Sequence, residues 1–138
     1  MMIYIDCEWN DYRGDLISMA LVSQDGDEFY EVLGCDNPTD WVKHNVMPVL
    51  FKKAVSRDVF TTRLKDYLAL FNNTSIKIIA DWPEDISRFC DALIIGPGDR
   101  IGPADIEFVV SPMINRYSSD IPHNALHDAL ANMKGGCG

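Results

Sequence analysis

A chain of 138 residues suits one domain with one core. Its net charge of −9 is the wrong sign for a passive coat on DNA or RNA, whose affinity comes from Lys and Arg on phosphates. The same charge suits an enzyme that binds divalent cations, because part of it is then ligand charge.

Ile3-Tyr4-Ile5-Asp6-Cys7-Glu8 reads as the first strand. Side chains alternate along a strand, so Asp6 and Glu8 share one face, and Ile3, Ile5 and Cys7 supply the buried one. Neighbouring carboxylates repel and need a cation, a proton or water to be tolerated. Residues 16–23 form a second strand, 24–27 a turn and 28–33 a third strand, which makes an antiparallel meander.

A helix starts after Asn37, with Pro38 at its first position, and runs toward Met47, where Pro48 stops it. A second starts after Ser56, keeps Phe60, Leu64, Tyr67, Leu68 and Phe71 at helical spacing, and ends at Asn72-Asn73. Ile76 to Ala80 is a short strand. Pro83 opens a helix with Ile86, Phe89, Cys90 and Leu93 on one side, broken by Gly96-Pro97-Gly98. Residues 96–103 lack the Gly-Lys-Ser/Thr of a phosphate-binding loop and read as a surface loop. Ile106 to Val110 is the last strand. The last helix carries Leu126, Ala129, Leu130 and Met133, with Gly135 as its terminator. The order β-β-β-α-α-β-α-β-α predicts a mixed sheet with helices on its faces, in one domain over 1–138 with a flexible tail at 134–138.

There is no transmembrane run or signal peptide, and the N-terminus leads directly into a strand. Cys7, Cys35, Cys90 and Cys137 are far apart with no CxxC pair, which argues against a zinc ribbon and against a disulfide-dense secreted domain. Reduced thiols in the cytoplasm are the expectation.

More acids recur at the ends of later elements. Asp81 closes the fourth strand, and Asp85 lies in the first turn of the next helix. On their own, an N-cap explains Asp81 and the helix dipole explains Asp85. Asp128 lies in the last helix, five residues after His123. A helical His123 would stand ~140° round from Asp128, so the two converge more easily with His123 on the loop before the helix, a late start that Pro122 favours. His123 and His127 also have the spacing of half a zinc site, but no third His or Cys lies nearby. His44 and His127 read as surface residues.

Together these residues resemble the DEDDh exonucleases, 3′-to-5′ nucleases of the ribonuclease H-like fold. Asp6-Cys7-Glu8 looks like their first motif, Asp85 their second and His123-x4-Asp128 their third. The closest resemblance is to the small bacterial and phage exoribonucleases of the mycobacterial type. It is carried by Leu16-Ile17-Ser18, by Trp41-Val42-x3-Val46-Met47-Pro48-Val49-Leu50 and by the closing His-x4-Asp-Ala, and it spans residues 3 to 134. The second motif departs from the family form. The usual Asn four residues before its Asp is Asp81 here, and the usual apolar neighbour is Glu84, so Asp81 competes with Asp85. Asp85 is preferred because Phe89 and Cys90 follow it at core-facing spacing.

The resemblance implies a three-layer ribonuclease H-like domain with a mixed five-stranded sheet and helices on both faces. It implies two Mg²⁺ or Mn²⁺ ions ~3.5–4 Å apart on four carboxylates. Asp6 would bridge both ions, Glu8 and Asp128 would hold the nucleophile-side ion, Asp85 would support the other, and His123 would act as general base. The implied substrate is the 3′ end of single-stranded RNA, or a 3′ overhang, released as 5′-mononucleotides, with no membrane partner. A homodimer is a further implication, since dimers are common among the small members. The alternatives are a DNA-preferring exonuclease with the same site and a non-catalytic binding module of the same architecture.

Two surface features bear on a nucleic-acid strand. Trp9, Tyr12 and Trp82 follow acidic motifs and offer faces for a terminal base, or serve as core. Lys43, Lys52, Lys53, Arg57, Arg63 and Lys65 form a local basic surface in the two-helix segment, or are merely solvated.

Overall fold

A computed structural model describes residues 1–103 and 105–137, except for the side chain of Cys137. Three strands, β1 (Met2–Trp9), β2 (Leu16–Ser23) and β3 (Glu28–Val32), form the expected meander. Then come α1 (Asp40–Asn45), a 3-10 turn at Met47–Val49, α2 (Arg57–Ala69), β4 (Ile76–Ala80) and α3 (Pro83–Leu93). A small hairpin, β5 (Ile94–Gly96) with β6 (Asp99–Arg100), precedes β7 (Ile106–Val110), a 3-10 turn at Pro112–Ile114 and α4 (Ala125–Cys137).

The sheet order is β3-β2-β1-β4-β7. β4 runs parallel to β1, and β7 parallel to β4. The fold is therefore α/β with a mixed five-stranded sheet. Central strand β1 is buried on both faces. Ile3, Ile5 and Cys7 join the main core with Phe60, Leu64 and Leu68 of α2 and Phe89 of α3. Tyr4 packs on the opposite face with Ile79, Ile114 and Met133. On that face α4 lays Ala125 and Ala129 on Ala20 and Val22 of β2, and α1 lays Val42 on Ile17 and Val32. Helices thus cover both faces.

Several boundaries differ from the sequence expectations. Helix α1 begins after Thr39, not Asn37, because the Thr39 hydroxyl accepts the N–H of Val42 and caps the helix. The stretch read as a surface loop, 96–103, holds the turn and second strand of the β5–β6 hairpin, and Ile101 after it is buried against α2 and α3. Gly135 does not end α4. A Cβ there would clash with the Ile114 carbonyl oxygen, and one at Gly136 with the Tyr4 hydroxyl. Gly135 lets the helix approach the 3-10 turn closely, and Gly136 lets it approach β1. The segment read as a tail is helical through Cys137, and Gly138 lies outside the described residues. Among the described residues, Cys7, Cys35 and Cys90 are free thiols, and no helix is long and apolar enough to cross a membrane.

Candidate metal centre

Strand alternation delivers Asp6 and Glu8 to the face that α4 covers. Cys7 between them turns into the opposite core and is 4% exposed. Asp81 follows β4, the parallel neighbour of β1, so it arrives beside the C-terminal half of β1. Pro83 opens α3 two residues later and brings Asp85 back over the same strand end. There the buried Asp85 carboxylate accepts the Cys7 backbone N–H at 3.0 Å.

The fifth acid, Asp128, comes from α4, whose start is fixed by Asn124. The Asn124 side-chain oxygen accepts the His127 N–H at 3.2 Å, and its Nδ2 donates to the Val49 carbonyl at 2.8 Å. One residue therefore caps the helix and ties it to the 3-10 turn after α1. His123 precedes this cap on the loop, the placement that its spacing from Asp128 favoured. It sits in the left-handed region at φ 71°, with its N–H donating to Asp128 Oδ2 at 3.2 Å. Trp41 of α1 meets the His123 ring edge to face, 5.1 Å between centroids.

The acids converge in two overlapping groups. Oxygens of Asp6, Glu8 and Asp128 lie within 4.8 Å of one another, as do those of Asp6, Asp81 and Asp85. Asp6 belongs to both. Its Oδ2 is buried without a hydrogen-bond partner, and no Lys, Arg or His forms a salt bridge with any of the five acids among the described residues.

Crowding without cations shifts the titrations upward. Burial, then the charges of Asp85, Glu8, Asp128 and Asp81, hold Asp6 well above the usual carboxylate range. Burial, then Asp128 and Asp85, push Glu8 up to about 9. Burial and Asp81 push Asp85 up to about 8, against the lowering bond from Cys7. Burial raises Asp128, with the His123 amide among the groups opposing it.

The donor set suits a hard divalent cation: every ligand is a carboxylate oxygen, and the orphaned oxygen of Asp6 belongs to the carboxylate common to both groups. Both Asp81 and Asp85 lie within reach of Asp6, so the geometry brings both competitors to the same site. Asp85 is buried and anchored to β1. Asp81 opens onto a cleft of about 220 Å³ with Asp6, Asp128 and His123.

Sequence reasoning missed the far wall of that cleft, Asn115, Tyr117 and Ser119. They lie on an aperiodic loop, and nothing in their spacing marks them. His127 lines a separate cleft with Ser118, Asp120 and Lys134. His44 faces solvent on α1, where Nδ1 meets the Asp40 carbonyl. Tyr12 and Trp82, 82% and 61% exposed, line a groove with Arg13 and Arg88, whereas Trp9 is half-buried under the Arg88 guanidinium. The basic cluster is partly committed elsewhere, because Lys52 and Arg63 both pair with buried Glu31.

Neither a protein-family model nor a curated protein matches this chain.

Proposed function

We propose that this chain is a metal-dependent phosphodiester hydrolase of ribonuclease H-like architecture. The sheet order, with its antiparallel meander and two parallel strands, supports the fold, and the acids at the strand ends support the chemistry. Within that class it is a DEDDh 3′-to-5′ exonuclease acting on single-stranded RNA or a 3′ overhang and releasing 5′-mononucleotides. The observation that carries the reading is Asp6, one carboxylate with a buried, unpartnered oxygen that is shared by two groups of acids.

Asp6, Glu8 and Asp128 would hold one divalent ion, and Asp6, Asp81 and Asp85 a second. Bound there, Mg²⁺ or Mn²⁺ supplies Lewis acidity toward the attacking water and the leaving oxygen, and offsets phosphate charge. The chain's own residues do the rest. His123, on the same cleft as Asp6 and Asp128, takes the proton from the attacking water at a ring nitrogen. The water oxygen bonds to phosphorus, the bond to the 3′-oxygen breaks, and that oxygen is protonated from solvent. Trp41 against the ring and the left-handed backbone at His123 limit where the imidazole can point. The exposed rings of Tyr12 and Trp82 offer stacking surfaces that tolerate any base.

The test is incubation of single-stranded RNA and DNA, labelled at either end, with Mg²⁺, Mn²⁺ or EDTA. The expected result is a ladder shortening from the 3′ end, mononucleotide release in either metal, and none in EDTA. Intact substrate in both metals would overturn the proposal. Shortening of DNA alone would reassign the substrate.

A further inference from the structure

Two buried asparagines flank the acids of α4, and they are treated differently. Asn124, 2% exposed, has its amide fully engaged, with the Val49 and Leu50 carbonyls, the Tyr30 hydroxyl and the His127 N–H. Asn132, 4% exposed, has no hydrogen-bond partner for its amide among the described residues. A buried amide left unpaired is costly, and a fold normally satisfies it. Asn132 instead lines the cleft that holds Asp6, Asp81, His123 and Asp128.

The helix sets where it stands. Asp128, Ala131 and Asn132 are spaced i, i+3 and i+4, so they share one face. Asp128 meets Asp6 and Glu8, and two turns on Gly136 closes on Tyr4. On the β1 face that α4 covers, the order is Tyr4, Asp6, Glu8, so the helix runs antiparallel to the strand and Asn132 comes abreast of Asp6. Ala131 beside it is small and leaves the cleft open. On the opposite wall, next to Asp128, the Ser119 Oγ is buried and makes no hydrogen bond of ordinary length.

The cleft tells what these groups are for. Its lining has three acids and no Lys or Arg, so an anionic group is repelled except where cations sit among the carboxylates. Neutral donors and acceptors such as Asn132 and Ser119 suit a neutral hydroxylic group. The volume of about 220 Å³ is below the ~300–1,000 Å³ of pockets that enclose a whole small ligand, so part of a nucleotide enters and the base stays outside.

We propose that the Asn132 amide, with the Ser119 hydroxyl facing it, binds the 2′- and 3′-hydroxyls of the terminal ribose and makes the site selective for RNA. This rests on the exonuclease reading and adds the sugar to it. The two hydroxyls of a ribose lie side by side on one edge of the ring. An amide accepts from one through its oxygen and donates to the other through its NH₂. A 2′-deoxyribose leaves half of that buried amide unpaired.

The experiment is calorimetric binding, in Mg²⁺, of adenosine and cytidine 5′-monophosphates and of their 2′-deoxy forms. The wild type is expected to bind the ribo forms roughly tenfold more tightly with either base. Asn132→Leu, an apolar side chain of similar shape, should weaken the ribo forms alone and bring the ratio near one. Ser119→Ala should shrink the ratio with the helix untouched. Equal affinities in the wild type, no binding of either form, a ratio unchanged in both variants, or ribo and deoxy forms weakened alike by Asn132→Leu would each overturn the proposal. The two readings fail separately. Equal kcat/KM on single-stranded RNA and DNA keeps the exonuclease and overturns the sugar site. Ribo-selective binding that Asn132→Leu abolishes, with RNA left intact in both metals, supports the sugar site and overturns the exonuclease.

Discussion

Two regions of this molecule bury carboxylates, and they treat them oppositely. Glu31 on β3 is 2% exposed and meets two cations, Arg63 and Lys52. Across the sheet, Asp6, Glu8, Asp85 and Asp128 crowd together with no cation among the described side chains, and Asp6 keeps one buried oxygen unpartnered. The first arrangement is how a fold accommodates a buried charge. The second works against the fold, because desolvation and mutual repulsion both act on it. An arrangement that costs stability at the ends of β1 and β4 is expected where function demands it.

Substitution at the two regions should separate them most sharply. Asp6→Ala is expected to abolish metal-dependent hydrolysis, since it removes the carboxylate common to both groups. In EDTA the same variant should melt higher than the wild type, because repulsion is relieved. Glu31→Gln should do the reverse, leaving activity in place and lowering stability by about 1.5–3 kcal/mol through weakened charge-assisted bonds. Equal melting shifts of the same sign in both variants would erase the distinction.

The next effect divides the second group. Asp85→Asn is expected to lower the rate by orders of magnitude, because Asp85 is buried, bonded to the Cys7 amide and close to Asp6. Asp81→Asn should lose much less, because Asp81 opens onto the cleft and an amide keeps one oxygen ligand. Single-turnover rates at saturating Mg²⁺ decide this, and a larger loss at Asp81 would reverse the assignment.

A smaller loss is expected at His123. His123→Ala should cost ~10²–10⁴-fold in rate, the usual worth of a general base, and leave metal affinity in place. His127→Ala should stay near wild type, since His127 lines a different cleft. Full rescue of His123→Ala by excess metal would contradict the base role.

The mildest effect is on stability against pH. Folding raises Glu8 to about 9 and Asp85 to about 8, from ordinary carboxylate values near ~4, so the metal-free protein takes up protons as it folds. The stability tied to those protons is full below the unfolded values and is lost as pH rises through the folded ones. The melting temperature in EDTA should therefore fall between pH 5 and 9. Saturating Mg²⁺ should flatten that slope, because a bound cation replaces the protons. A flat profile in EDTA would mean that the carboxylates are not crowded in solution.

Much of this was legible in the sequence, for local reasons. The strands Ile76–Ala80 and Ile106–Val110 appear within the bounds their apolar runs marked, and Ser56 caps α2 where a Ser before a periodic run should. Asp6 and Glu8 were paired by strand alternation alone, and the position of His123 before α4 followed from its spacing to Asp128. What stayed hidden depends on tertiary contact. Gly135 read as a stop signal because its reason, the Ile114 carbonyl, lies on another segment. Asp81 and Asp85 competed because nothing local reveals that both converge on Asp6. The cleft wall at Asn115–Ser119 has no periodicity to read.

The most direct test of the unpaired acids is calorimetric titration of the metal-free protein with Mn²⁺, beside Asp6→Ala. Two ions per chain, with proton release on binding and both sites weakened together in Asp6→Ala, are expected if Asp6 is shared by two ion sites. No binding by the wild type, or undiminished binding of two ions by Asp6→Ala, would contradict it.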